Sequence, residues 1–248
     1  MHKHTPRLLA RAIIAALTLL SAGACAKKDN APIALFNGAD TTGWIAHGPD
    51  TPPGAAATWS AANGVLAATG APFGYLRTET RHSNYRLTVE WRWPAAAQPD
   101  ANGNPRPRNS GVFLHMQGGD KVWPTCVEAQ LQEQNAGDFI FMGVAGASEL
   151  NAARTAAIAA AGNDSVARKK AETNRRIPRK NPSSEKPAGE WNRLDIVCDG
   201  GTITVSVNGV EQNRATGVTV SEGHICLQSE GAPVEFRNVT LTELRKAK

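Results

Sequence analysis

Seven short stretches of this 248-residue chain alternate apolar and polar residues with period two, and no other feature restricts its fold so tightly. They are YRLTVEWRW (85–93), SGVFLHMQ (110–117), CVEAQLQE (126–133), NRLDIVCD (192–199), TITVSVNG (202–209), GHICLQSE (223–230) and VEFRNVTLTEL (234–244). Period two belongs to strands whose two faces meet different surroundings. Turn signals separate the runs: Asn63-Gly64, Gly118-Gly119, Gly200-Gly201, Asn208-Gly209 and EGAP at 230–233. Successive antiparallel hairpins of this kind predict an all-β protein, a two-sheet sandwich or jelly roll of one domain. Residues 147–187 break the rhythm with Ala-rich, helix-permissive sequence. There Gly162-Asn163 is a natural break and Asp164 or Ser165 a candidate cap, so a helical excursion is expected rather than a second domain. The Pro/Gly/Asn-rich stretch 94–109 reads as a loop.

The N-terminus speaks to location rather than fold. Lys3, Arg7 and Arg11 precede AIIAALTLL, an apolar run too short for a comfortable membrane span, and SAGA then leads into Cys25. This resembles a bacterial lipoprotein signal of residues 1–24, with lipid on the Cys25 thiol and a polar tether over 25–32. Ala26 fits sorting to the periplasmic face of the outer membrane. Removing the signal lowers the net charge from +5 to +2. The remaining surplus is concentrated in RKKAETNRRIPRK (168–180), and no basic face interleaved with aromatics suggests nucleic acid. That basic run reads as a solvated loop or helix end, with an anionic lipid surface as the other reading. Cys126, Cys198 and Cys226 lie in strand-like runs without the spacing of a disulfide framework or a metal knuckle, and read as buried thiols.

Strand alternation then sorts side chains into faces. Leu87, Val89 and Trp91 share one face of 85–93, with Glu90 and Arg92 on the other. In 109–117, Val112, Leu114 and Met116 suit a core, which puts Phe113, His115 and Gln117 opposite. Glu128, Gln130 and Gln132 line the polar face of 126–133, and Gln228 and Glu230 that of 223–230. Acids, an arginine, a histidine and amides on one sheet face are the chemistry of a carbohydrate site, with Phe113 or Trp123 as stacking surfaces. Plainer readings stand beside this one. Glu90 and Arg92 would make a surface ion pair of small energetic value, His115 would serve as a structural histidine, and Glu128 as a solvated strand residue. An acid/nucleophile glycosidase needs two carboxylates about 5 Å apart. Two positions beyond Glu128 stands Gln130, which neither attacks nor protonates, so this strand disfavours that chemistry.

A family resemblance runs through the chain. ALFNGADTTGW (34–44), NGVLAATG (63–70), GYLRTE (74–79), NSGVFLH (109–115), WPTCVEAQLQE (123–133), GDFIFMG (137–143) and GHICLQSEGAPVEFRNVTL (223–241) occur in family order. Over residues 33–245 the chain resembles the 3-keto-disaccharide hydrolase domain family. The resemblance implies a concanavalin-like jelly roll acting on glycosides oxidised to a ketone at C3. Such a ketone acidifies the C2–H, so a base can remove it and the C1 substituent can leave by β-elimination, after which water adds back. The scheme needs one base, a cation or donor for the enolate oxygen and an acid for the leaving oxygen. Glu128 or His115 is then the candidate base and Arg92 the enolate partner. Glu90, Asn109, Phe113, Trp123, Gln130, Gln132 and Gln228 are the candidate substrate contacts. A divalent cation held by His115 and carboxylates is compatible with the scheme, though no spacing demonstrates it. The competing class is a non-catalytic sugar-binding module.

Overall fold

A computed structural model describes residues 30–48, 58–94 and 107–245, with Met1, Pro99 and Gly103 as isolated positions. Two antiparallel sheets of eight strands each pack face to face. The back sheet runs β14 (Val210–Ala215), β13 (Thr202–Val207), β12 (Asn192–Asp199), β7 (Tyr85–Arg92), β16 (Val234–Glu243), β4 (Val65–Ala68) and β3 (Trp59–Ala62), and β1 (Ile33–Ala34) pairs with β16. The front sheet runs β11 (Arg176–Ile177), β10 (Phe139–Met142), β9 (Thr125–Gln130), β8 (Gly111–Gln117), β15 (Glu222–Ser229), β5 (Gly74–Thr78) and β2 (Trp44–His47), and β6 (His82–Ser83) pairs with β15. This is the jelly-roll sandwich expected from the alternating runs. Asn63-Gly64 and Asn208-Gly209 close tight hairpins with both residues at positive φ (52° and 78°, 49° and 82°). Such a turn matches the right-handed twist of its strands.

The core lies between the sheets. Leu87, Val89 and Trp91 of β7, with Leu194, Ile196 and Phe236 of its neighbours, meet Val112, Leu114, Val127, Ala129, Phe139 and Leu227 of the front sheet. Each large side chain withdrawn from water contributes roughly 1.5–3 kcal/mol, so burying one face of every strand fixes its register. The three cysteines Cys126, Cys198 and Cys226 are buried free thiols. Between β10 and β11 the chain forms α1 (Ser148–Ala161) and α2 (Ser165–Glu172). Asp164 caps α2 by accepting from the Val166 and Ala167 amides, and α1 ends at Gly162. Leu150 alone is buried in α1 and Ala171 alone in α2, so the hairpin is held by its ends rather than by an apolar stripe.

Candidate active site

The front sheet's outward face is built in rows. Ile140 of β10, Glu128 of β9, Phe113 of β8, Cys226 of β15 and Arg77 of β5 stand side by side. In the next row Gln130 faces Gly111, and Gln228 faces Tyr75. Beyond the end of β8, Asn109 bridges to Glu230 and Gly231. Half of the face is apolar: Tyr75, Phe113, Met116, Cys126, Met142 and Cys226 form a second small buried cluster. The other half, around Gly111, is polar.

Glycine at 111 is what lets Glu128 occupy this spot. A Cβ there would lie 2.3 Å from Glu128 Oε1, so the carboxyl fills the space where a side chain of β8 would have stood. Glu128 is only 4% exposed, and its Oε1 is buried with no hydrogen-bond partner among the described residues. Gln228 Oε1 and Asn109 Oδ1 are buried and unpartnered as well. Three buried acceptors without donors are costly unless a ligand supplies the donors, and sugar hydroxyls are such donors. Glu230 takes side-chain hydrogen bonds from Asn109 and Gln228. With Phe73, Pro107, Asn109, Gln132 and Gly231 it lines a cleft of about 260 Å³.

The electrostatics follow from this burial. Desolvation, and next the charge of Glu230, push the Glu128 carboxyl up to about 8, with Arg175 pulling the other way. Burial also pushes Glu230 above the usual carboxylate range, against the pull of Asn109, Gln228 and Arg175. Beside this pair, Tyr75 donates to Asp120 at 3.2 Å, and Arg77 holds the same carboxylate through two nitrogens at 2.8 and 3.2 Å.

The structure redistributes the residues singled out in the sequence. Glu128, Asn109, Gln130, Gln132 and Gln228 do stand together around Gly111 and the cleft. Gln130 is partly committed, since its Oε1 accepts from the Leu131 and Gln132 amides. Gln132 Oε1 accepts from Asn135. His115 does not belong to the site. A bulge between Leu114 and Gln117 interrupts the alternation, and His115 takes a left-handed φ of 54°. Its ring turns inward, edge-on to Tyr85 at 5.6 Å, with Nδ1 3.2 Å from the Val220 carbonyl. Burial lowers its pKa to about 4, so it is a neutral core histidine. Gly223 permits the bulge: a Cβ at that position would meet the His115 backbone at 2.4 Å. The same bulge carries Met116 out of the main core into the outward cluster.

Arg92 and Glu90 are also removed. They stand on β7 of the back sheet and face away from the core, on the opposite side of the sandwich from Glu128, paired with Glu235 and Arg237. Phe113 is wholly buried among Tyr75, Met116 and the cysteines, and offers no stacking surface. Trp123 is 47% exposed on the loop between β8 and β9, outside the lining of the cleft. Among the described residues no group of three His, Cys, Asp or Glu is placed to hold a metal, and His115 lies away from the carboxylates the sequence offered it. Cys25 and the signal lie outside the described residues. One site residue had been passed over. Alternation put Glu230 on the polar face, but only the pairing with Asn109 shows its closeness to Glu128.

The sequence profile of the 3-keto-alpha-glucoside-1,2-lyase-like domain matches residues 31–242, nearly the whole described body. The chain belongs to this lyase-like family. Membership in the 3-keto-alpha-glucoside-1,2-lyase-like family makes it a carbohydrate-active domain. No curated protein matches the chain. Among solved structures it resembles a protein of Parabacteroides distasonis named provisionally as a glycosyl hydrolase, with 21% identity and a TM-score of 0.56 over 88% of this chain and 100% of the other. The Bacillus licheniformis β-glucanase gives 11% identity and a TM-score of 0.53 over 88% and 100%. Carbohydrate-binding module CBM66 of Bacillus subtilis gives 12% and 0.50 over 81% and 95%. At these identities the three likenesses establish for the lyase-like domain a shared jelly-roll fold.

Proposed function

We infer that the protein cleaves 3-keto-glycosides, with Glu128 as the base that removes the C2 proton. One observation carries this reading: a buried carboxyl, raised to about 8, with an unpartnered oxygen in the gap left by Gly111. A carbon acid beside a ketone calls for a base stronger than an ordinary carboxylate, and catalytic groups work best with a pKa near the working pH. The electrons of the C2–H bond pass into an enolate at C3. The C1–O bond then breaks, a C1–C2 double bond forms, and the aglycone leaves with a proton. Addition of water returns hydroxyl to C1 and hydrogen to C2, so the sequence is redox-neutral and amounts to hydrolysis. Asn109 and Gln228 supply acceptors for sugar hydroxyls, and Glu230, which lines the cleft and whose charge acts on Glu128, carries the leaving-group proton.

Glu230 also favours a second reading. It is the second carboxyl that β9 itself lacks, and two carboxyls flanking a glycosidic bond are the equipment of a conventional glycosidase. A binding module would use the same acceptors but has no need of so basic a carboxyl. One experiment separates the three. The full-length chain is incubated with a p-nitrophenyl 3-keto-glucoside and with the unoxidised parent, and mass spectrometry follows the aglycone and any enone. Release from the keto form alone supports elimination. Release from both points to acid/nucleophile chemistry, and binding without release to a module. The N-terminal pattern further supports export and lipid anchoring at Cys25, for which the intact mass of the mature N-terminus in the membrane fraction is the test.

A further inference from the structure

A sugar ring has a rim of hydroxyls and an apolar face of C–H groups, so a sugar site pairs polar groups with an aromatic surface. The two aromatics expected to supply that surface do not, since Phe113 is wholly buried and Trp123 lies outside the lining of the cleft. Phe73, just before β5, takes their place. Its position follows from the ladder. Tyr75 of β5 pairs with Gln228 of β15, and Gly74 pairs with Ser229. One residue further along, Phe73 and Glu230 leave the sheet side by side, on the outward face that carries Gln228. Both line the cleft of about 260 Å³, with Pro107, Asn109, Gln132 and Gly231.

The ring is free where its counterparts are not. Phe36, Phe113, Phe139, Phe141 and Phe236 are all buried, whereas Phe73 is 37% exposed. It stacks on no other ring among the described residues. A single exposed phenylalanine is ordinary. One that faces a cleft beside a carboxyl and two amides has the make-up of a ligand site. Its backbone is also held in place. The Thr69 amide donates to the Thr58 carbonyl at 3.0 Å, and the Thr69 hydroxyl to the Ala71 carbonyl at 2.8 Å. The Gly231 amide donates to the Gly70 carbonyl at 2.6 Å. A Cβ at Gly70 would lie 2.4 Å from the Ala232 backbone, so only glycine lets this loop close onto the turn that carries Glu230. The ring and the carboxyl therefore belong to two loops fastened together, and little freedom is lost when a ligand settles between them.

We propose that Phe73 is the platform on which the aglycone ring of a 3-keto-glycoside stacks, next to the Glu230 carboxyl that serves the leaving oxygen. This rests on the elimination reading above, which puts Glu230 on the leaving side of the glycosidic bond. The ligand that fits is a cyclic aglycone, either a second sugar presenting its C–H face or an aromatic ring. A small alkyl aglycone has no face to lay on the platform.

The test compares the full-length wild type with Phe73→Ala and Phe73→Trp on 3-keto-glucosides that differ only in the aglycone: methyl, p-nitrophenyl and glucosyl. Both kcat and KM are measured for each, with melting curves beside them. Because the ring is exposed, both variants keep the wild-type melting curve. In Phe73→Ala, kcat/KM on the two cyclic aglycones is expected to fall about tenfold, the size of an aromatic contact of about 1.4 kcal/mol. The loss falls on KM, since a contact made equally before and during bond breaking changes binding and not turnover. The methyl glycoside stays within about twofold of wild type, having no ring to stack. Tryptophan restores the cyclic substrates. A larger loss on the p-nitrophenyl substrate supports the proposal with an aromatic ring as occupant, and a larger loss on the glucosyl substrate supports it with a second sugar. Equal losses on all three aglycones, or no loss on any, overturn the proposal while leaving the elimination reading intact. A wild type that releases no aglycone from any of the three overturns both.

Discussion

The two outward faces of the sandwich carry the same kinds of side chain and use them in opposite ways. On the back sheet Glu90, Glu235 and Asp195 each meet a base. Glu90 lies 2.7 Å from Arg237, Arg92 lies 2.5 Å from Glu235, and Arg193 takes Asp195 at 2.8 Å. Trp191 lies under both Arg92 and Arg237, at 4.6 and 4.1 Å. Burial alone would raise Glu90, but its bonds from Asn238 and Arg237 hold it below the usual carboxylate range. On the front sheet Glu128 has no cation in contact, a buried empty oxygen and a pKa near 8. A paired acid stays ionised and has nothing left to give a substrate. An unpaired one is held away from its preferred charge state, and a ligand can relieve that. What distinguishes the candidate site is therefore the absence of partners, not the presence of polar residues.

If this contrast is sound, the largest effect belongs to Glu128→Gln. The amide keeps the shape of the protonated acid but cannot take a proton, so turnover of the keto substrate falls by ~10²–10⁴ while the fold persists. Steady-state kinetics with a melting curve checks both halves, and retained turnover in a folded Glu128→Gln would end the assignment of the base. Gly111→Ala comes next. The new methyl collides with the end of a flexible side chain rather than with backbone, so the sheet stays and the Glu128 carboxyl moves. Displacing a reacting group by an ångström costs up to about 10²-fold. A loss between about tenfold and that limit is expected, and unchanged kinetics would mean that the position of the carboxyl is not used.

Much of this contrast could be read from the sequence, and the part that could not has definite physical causes. Alternation placed Glu128, Gln130 and Gln228 on an outward polar face because period two holds wherever the ladder is regular. It failed at His115 because the bulge after Leu114 adds a residue and inverts every face beyond it, which also misplaced Met116. Nothing in NSGVFLHMQ announces the bulge; what makes room for it is Gly223, on a strand more than a hundred residues away. It failed differently at Arg92. Alternation tells outward from inward, but a sandwich has two outwards, and which sheet a strand joins is a matter of topology. Glu90 and Glu128 are equivalent by pattern and lie on opposite sides of the molecule. The plainer reading of His115 as structural is the one the structure bears out, whereas Glu90 and Arg92 do form surface ion pairs, but with Arg237 and Glu235 rather than with each other.

The raised pKa of Glu128 gives the contrast a thermodynamic form. Its folded value, about 8, exceeds the ordinary 4.5 of a glutamate. Below the lower value both states hold the proton and Glu128 costs nothing. As pH rises from about 4.5 to about 8 the unfolded chain releases the proton and the folded one does not, so stability declines, by at most about 1.4 kcal/mol per pH unit. Denaturant melts across that window should show the decline in the wild type and its loss in Glu128→Gln. Turnover runs the other way, because the base works only when ionised, so kcat/KM climbs with pH and levels off near 8. A turnover that instead falls above 8 would make Glu128 the acid of the pair, and Glu230 the base.

The smallest effect should come from the back face. Arg92→Ala breaks a pair whose side chains are 32% and 21% exposed, so solvent already screens much of the attraction. Exposed pairs of this kind are worth about 0–1 kcal/mol, and the contact with Trp191 adds about 0.5–1 kcal/mol. A double-mutant cycle of Arg92→Ala with Glu235→Gln should therefore give a coupling of about 1 kcal/mol or less by denaturant melts, with turnover of the keto substrate unchanged in every arm. If Arg92→Ala lowered turnover by more than about tenfold in a stably folded protein, the chemistry would not be confined to the front face. The equation of unpaired acids with function would then fail at a pair whose acid is already matched by a base.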